Sequence, residues 1–357
     1  MSADAGAGEE FREILKQRAR GPTHRGELDP ALCERAMELI LSGAATPAQI
    51  GGFLLVGRAV GDSAAEMAAY TRPMLALART INAPSGPPVV SVTGGFDGKL
   101  RTFNVGVAAS LVAAAAGGRM LLLGGEGTPP KAGRTVFETL RGLGISAPQS
   151  LPEAESFLQE NGFAATSVDH YLPELHALLG LRWEMARRTV LSVCEKMVSP
   201  VRDTRWMIGV SHRPFLETVS QALTSLGVQQ ALVYQAIEGS DEAPLDGSSS
   251  LVRVRGGEIE EFSAEPESLG LPRATKAHIP WQDSEDEAQN LLAALRGEGA
   301  EPVRALILYN AALRLWMGDP GTESSLADHL KRAGAVLDAG EAIRLLESSR
   351  RAVTLPG

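Results

Sequence analysis

The stretch Thr93-Gly94-Gly95-Phe96-Asp97-Gly98-Lys99-Leu100-Arg101-Thr102-Phe103-Asn104 gathers glycines, short polar side chains, an acid and two cations into one loop. Glycine lets a backbone turn sharply and come close to a ligand. Residues 89–92 ahead of the loop are a β-branched apolar run that suits a buried strand. The Ala-rich residues 102–116 after it favour a helix. Strand, glycine loop and helix in that order form an anion cradle, because the free N–H groups of a helix start carry partial positive charge. A phosphorylated or otherwise anionic ligand is the natural occupant. The same spacing also suits a plain glycine turn between a strand and a packed helix, and both readings stand at this point.

The composition limits what the loop can serve. The chain has 357 residues, 44% hydrophobic and 22% charged, which suits two domains or one domain with a helical appendage. Its formal charge of −9 disfavours broad nucleic-acid binding but leaves room for a local basic groove. Cys33 and Cys194 stand far apart, match no zinc spacing, and read as buried apolar residues of a reducing, cytoplasmic compartment. The six histidines show no ligand-like spacing. Residues 1–10 lack the basic start and apolar core of a signal peptide, and no stretch is apolar enough to span a membrane.

Around the loop the predicted elements fall into two parts. Helices over 11–20, 31–41, 47–60 and 64–79 make residues 1–80 an all-helical unit, with Asp29-Pro30 and Thr46-Pro47 as starts. Asn82-Ala83-Pro84-Ser85-Gly86-Pro87-Pro88 reads as a linker, which places a hinge at 81–88. Beyond it, strands over 89–92, 119–123, 163–165, 206–210 and 230–235 alternate with helices. A hairpin over 251–255 and 258–262 turns at Gly256-Gly257, and the tail is helical. Helices are also expected over 172–179 and 181–197. The fold class is therefore α/β: a small helical domain, completed by helices within 172–197, and a larger domain over 89–357 around a mostly parallel sheet.

Five blocks in order resemble the anthranilate phosphoribosyltransferase family, which shares its fold with pyrimidine nucleoside phosphorylases. They are Ala48-Gln49-Ile50-Gly51-Gly52-Phe53-Leu54; Thr93-Gly94-Gly95 with Asp97 and Thr102-Phe103-Asn104; Arg182 with Arg188-Thr189; Gly239-Ser240-Asp241-Glu242; and Leu308-Tyr309-Asn310-Ala311-Ala312-Leu313-Arg314-Leu315. The resemblance covers nearly the whole chain. It departs in the loop, which is two residues longer than the family form, and at Val105-Gly106-Val107, where the family has Ile-Ser-Thr. It departs again at Leu122-Leu123-Gly124-Gly125-Glu126, where two expected cations are missing. This pattern, with the segment Arg20-Gly21-Pro22-Thr23-His24-Arg25, is similar to a divergent branch in which at least some members bind nucleic acid.

The resemblance implies transfer of a pentosyl group from phosphoribosyl diphosphate to a small aromatic acceptor such as anthranilate, with a degenerate donor site. Thr93, Gly94, Gly95, Asp97, Thr102, Asn104 and Lys131 would bind the donor's phosphates. Arg182 would take the acceptor carboxylate, since guanidinium binds carboxylate bidentately; a helix-surface ion pair is the alternative. Asp241 and Glu242 would hold Mg2+, or form a solvated acidic turn. Lys99 and Arg101 are expected as exposed loop cations, with replacement of the charge lost at 122–126 as the other reading. A homodimer through the helical unit is implied. The rival function is a non-catalytic paralogue binding nucleic acid or another polyanion through Lys16, Arg18, Arg20, Arg25, Arg182, Arg187, Lys196, Arg202 and Arg205. A nucleoside phosphorylase-like activity is a third reading.

Overall fold

A computed structural model describes residues 3–20, 26–247, 249–319, 321 and 324–352. Residues 21–25, with His24 and Arg25, lie outside the described residues.

Four helices open the chain: α1 (Ala3–Arg18), α2 (Pro30–Leu41), α3 (Pro47–Val60) and α4 (Ala64–Leu77). The Asp29 side chain accepts the Ala31 amide and Pro30 sits in the first turn of α2. Thr46 and Ser63 close capping boxes with Gln49 and Glu66. Phe11, Phe53 and Tyr70 stack edge to face at 5.6 and 5.9 Å in the centre of this bundle.

The second part is built on β1 (Val89–Thr93), α5 (Gly106–Ala115), β2 (Arg119–Gly124), α6 (Val136–Gly142), α7 (Leu151–Asn161) and β3 (Phe163–Ser167). Short helices α8 (Val168–Tyr171), α9 (Pro173–His176), α10 (Leu179–Met185) and α11 (Leu191–Cys194) then lead to β4 (Arg205–Val210), α12 (Pro214–Ser225) and β5 (Gln230–Gln235). The hairpin β6 (Ser249–Arg255) and β7 (Glu258–Ala264) follows, then α13 (Ser284–Leu295), α14 (Glu301–Gly318), α15 (Leu326–Asp338) and α16 (Glu341–Ala352).

The sheet runs β3-β2-β1-β4-β5-β6-β7. Its first five strands are parallel, and β6 and β7 are antiparallel. Gly256 and Gly257 both take positive φ in the hairpin turn, which only glycine does without strain. Chain direction across the sheet reverses between β1 and β4. The loops leaving β1, β2, β4 and β5 therefore meet at one edge, beside that switch point. Right-handed crossovers in opposite directions put α5 and α12 on opposite faces. The nearly all-buried α14 packs along α5, while α12 carries α4 of the helical unit.

Two expectations need correction. The helix expected over 181–197 is broken: Ala186 adopts φ 52° and ends α10, and only short turns follow. Residues 172–179 likewise form no continuous helix. Helix α7 was not expected, although Ser150 ahead of Leu151-Pro152-Glu153 caps it in ordinary fashion. Among the described residues no helix is long and apolar enough to cross a membrane.

Candidate functional site

The loop after β1 lies across the switch point and is held by the protein on every side. Gly98 takes φ 74° and presses on the backbone of Gly133, so a side chain there would meet both barriers at once. The backbones of Lys99 and Arg134 exchange two 2.9 Å hydrogen bonds. Gly94 packs on the backbone of Ser240 and Asp241 with no room for a Cβ. The far side is pinned by Phe103 N to Ile279 O (3.2 Å) and Trp281 N to Arg101 O (2.9 Å).

The residues expected to bind donor phosphate are brought together, but the side chains of Thr93, Asp97, Thr102, Asn104 and Lys131 are already engaged. Thr93 donates to Lys196 O at 3.1 Å and Thr102 to Glu238 Oε1 at 2.8 Å. Asn104 Nδ2 donates to Thr139 Oγ1 at 2.8 Å. Asp97 accepts from Arg188 Nε at 2.9 Å and from its Nη2, with Lys131 Nζ at 3.8 Å. Lys131 Nζ also donates to Gly98 O at 2.9 Å. Burial lowers the Lys131 pKa despite Asp97. Between Gly94, Gly95, Asn104, Gly124, Thr135 and Asp241 remains a cavity of about 20 Å3, room for little more than one water.

Lys99 corrects the expectation of an exposed loop cation. It is 1% exposed; its Nζ donates to Phe103 O at 2.7 Å and pairs with Glu242 Oε2. Arg101 is the exposed member, 3.4 Å from Glu238 Oε2. The other oxygen of Glu242 accepts Val105 N at 2.7 Å and Gly106 N at 3.0 Å, so this carboxylate caps the start of α5. Asp241 Oδ2 accepts from Arg314 Nη2 at 2.7 Å.

Arg182 is also committed. Its Nη1 and Nη2 reach Glu195 at 2.7 and 2.9 Å, and both side chains are buried. This is an internal bidentate pair rather than the surface pair considered as its alternative. Arg18 is buried between Asp62 and Glu66 at 2.5 Å each. The cations that a polyanion groove would need are therefore partly spent inside the fold.

A second and larger space opens beside the loop. A cleft of about 610 Å3 lies between α3, the 186–196 segment and the loop after β1, a volume that suits a small-molecule ligand. Arg58, Arg187, Arg188 and Lys196 supply cations to its wall; Phe96, Val193 and Phe215 supply apolar surface. Arg58 Nη1 donates to Arg188 O at 2.7 Å, which ties the helical unit to this wall. Lys196 Nζ donates to Gly209 O at 2.5 Å and Gly239 O at 3.2 Å, and burial brings its pKa down to about 8.

Sequence reasoning missed Glu238 and Arg314. Glu238 sits at φ 55° and receives the amides of Leu100 (3.2 Å) and Arg101 (3.1 Å) as well as Thr102. Burial works against its charge, yet the Thr102 hydroxyl and those two amides together bring its carboxyl to about 2. Its signal was an acid next to Gly239 just beyond a strand. For Arg314 it was a cation inside an apolar helix run.

Residues 89–343 match the glycosyl transferase family a/b domain, and residues 12–78 match the helical bundle domain of the same family. Anthranilate phosphoribosyltransferase of Paramagnetospirillum magneticum is 32% identical over 94% of this chain and 94% of its own. The enzyme of Rhodospirillum rubrum is 32% identical over 88% and 89%. Among solved structures, anthranilate phosphoribosyltransferase from Thermus thermophilus superposes with a TM-score of 0.81 at 25% identity, covering 97% of this chain and 99% of that one. The Saccharomyces cerevisiae enzyme in complex with PRPP and Mg shares the fold, with a TM-score of 0.79 at 17% identity over 96% and 98%. The helical bundle and the sheet domain thus correspond to the two matched regions, and the chain belongs to the anthranilate phosphoribosyltransferase family of glycosyl transferases.

Proposed function

We propose that this chain transfers a phosphoribosyl group from phosphoribosyl diphosphate to a small aromatic acceptor such as anthranilate, with a donor site altered from that of its relatives. The observation that carries the reading is the 610 Å3 cleft, where cations and apolar side chains line one space beside the glycine loop. A pentosyl transfer passes through a cationic sugar and a departing diphosphate, so it needs charge and position more than acid–base side chains. In this chain Arg187, Arg188 and Lys196 face the diphosphate. Phe96 and Phe215 stack against the acceptor ring. The 20 Å3 cavity under Gly94 is too small for phosphate, so the donor lies in the open cleft beyond it.

The related yeast complex holds magnesium together with PRPP. Here Asp241 and Glu242 do not fit that metal, because Arg314 and Lys99 already hold them. Magnesium would enter with the diphosphate that chelates it, held by phosphate oxygens and water. The helical unit and the sheet domain close on the cleft about residues 81–88, and the helical unit forms a homodimer.

Calorimetry with phosphoribosyl diphosphate and Mg2+, followed by loss of anthranilate fluorescence on mixing, tests this. The expected result is saturable donor binding and donor-dependent fluorescence loss. No heat at millimolar donor would end the transferase reading. Retardation of single-stranded oligonucleotide at low salt, lost at high salt, would favour the polyanion reading in its place.

A further inference from the structure

We infer that Asp241 and Glu242 are a closed internal ion-pair cluster in which the Lys99 ammonium and the Arg314 guanidinium take the place of a metal ion. The inference goes beyond the proposed transfer and stands whether or not the cleft turns a donor over.

Both acids are held by donors of the protein itself. Glu242 is fully buried and accepts three donors: the Lys99 ammonium at Oε2, and the Val105 and Gly106 amides at Oε1. Lys99 is 1% exposed, and Phe103 O satisfies a second of its protons at 2.7 Å. Arg314 is fully buried too. Its Nε donates to Ser110 Oγ at 3.0 Å, its Nη1 to Asn310 O at 3.1 Å, and its Nη2 to both Asp241 Oδ2 at 2.7 Å and Asp241 O at 3.1 Å.

Two buried carboxylates thus meet two buried cations, and the cluster is neutral. A divalent ion added here would have to displace an ammonium that is 1% exposed and already bonded to Glu242 and to Phe103 O. Magnesium also demands near-octahedral oxygen ligands at about 2.0–2.1 Å. Among the described residues no group of three His, Cys, Asp or Glu is placed to hold a metal. The carboxylate of Asp241 fills the space a Cβ on residue 106 would need. Gly106 therefore fixes the acid in the orientation that meets Arg314 rather than the cleft.

Mn2+ serves as the probe, added to the full chain without donor and followed by electron paramagnetic resonance. The wild-type protein is expected to show no saturable site up to millimolar Mn2+. Lys99→Met, which frees Glu242 while keeping the side-chain volume, is expected to create or strengthen one at least tenfold. Because either single variant can unfold the protein, the second measurement is thermal. Lys99→Met and Glu242→Gln should each lower Tm by about 5–10 °C, since each leaves a buried charge unpaired. The double variant should recover a good part of the loss. One equivalent of Mn2+ bound by the wild type and lost in Glu242→Gln would overturn the inference. So would additive Tm losses in the double variant, since uncoupled residues cannot form an ion pair.

Discussion

The Glu238 carboxylate accepts a 2.8 Å hydrogen bond from the Thr102 hydroxyl, and so joins the turn after β5 to the loop after β1. The amides of Leu100 and Arg101 complete the clamp. Glu238 makes it from a left-handed backbone conformation, φ 55°, which an L residue adopts only under strain. The strain is offset by four hydrogen bonds to one charged group, from Leu100 N, Arg101 N, Arg101 Nε and Thr102 Oγ1.

Glu238→Gln keeps the size and removes the charge, and the expected loss is on the order of 2 kcal/mol, as for charged hydrogen bonds. Glu238→Gly loses the bonds but relieves the backbone, so it should cost less than Glu238→Ala. The pH sign follows from the depressed carboxyl. Stability from Glu238 is complete above the ordinary glutamate pKa and is lost as pH falls toward about 2. Thermal melts of wild type and Glu238→Gln should therefore converge between pH 4.5 and pH 2 (roughly the interval from the unfolded to the folded value). Parallel curves over that range would exclude the clamp.

Lys196 predicts the opposite limb. Its pKa is brought down to about 8, so between there and the ordinary lysine value the unfolded chain binds more protons than the folded one. Stability should rise with pH across that window, and Lys196→Met should flatten the rise. An anion entering the cleft restores the charge, so donor binding at pH 8 should take up protons. Calorimetry in two buffers of different ionisation enthalpy reads this directly; equal heats in both would place the anion away from Lys196.

Arg182 separates positioning from binding. Its bidentate pair with Glu195 is buried, and breaking one partner of such a pair costs about 3–5 kcal/mol. Arg182→Lys cannot make the two-pronged contact. It should lower Tm while leaving the acceptor KM within a factor of two. An acceptor KM raised tenfold at unchanged Tm would return Arg182 to the acceptor.

The switch-point loop, the helix caps at Asp29 and Thr46 and the glycine hairpin were legible because each signal is local. The break at Ala186 was not, since nothing in Trp183-Glu184-Met185-Ala186-Arg187 disfavours a helix and the turn is set by packing. Lys99 was misplaced for a related reason. Its partner Glu242 lies 143 residues away, and no spacing rule connects an ammonium in one loop to a carboxylate in another. The longer loop carries Lys99, which pairs with Glu242, and the position without the family's serine, Gly106, lies against Asp241. The sequence could not say that both departures meet at the same acid pair.

That meeting gives the last prediction. A Cβ on residue 106 would drive into the Asp241 carboxylate, which Arg314 holds in place. Gly106→Ser therefore has to push Asp241 aside and leave Arg314 without its acid in a fully buried position. Overpacking costs about 1–3 kcal/mol and an unpaired buried charge more, so Tm should fall by at least about 5 °C in scanning fluorimetry. Asp241→Asn makes room for no serine but removes the charge, so Gly106→Ser should cost less in that background than in the wild type, the two residues being in contact. An unchanged Tm for Gly106→Ser would mean that Asp241 is free to turn toward the cleft, and the glycine would then have no part in closing the cluster.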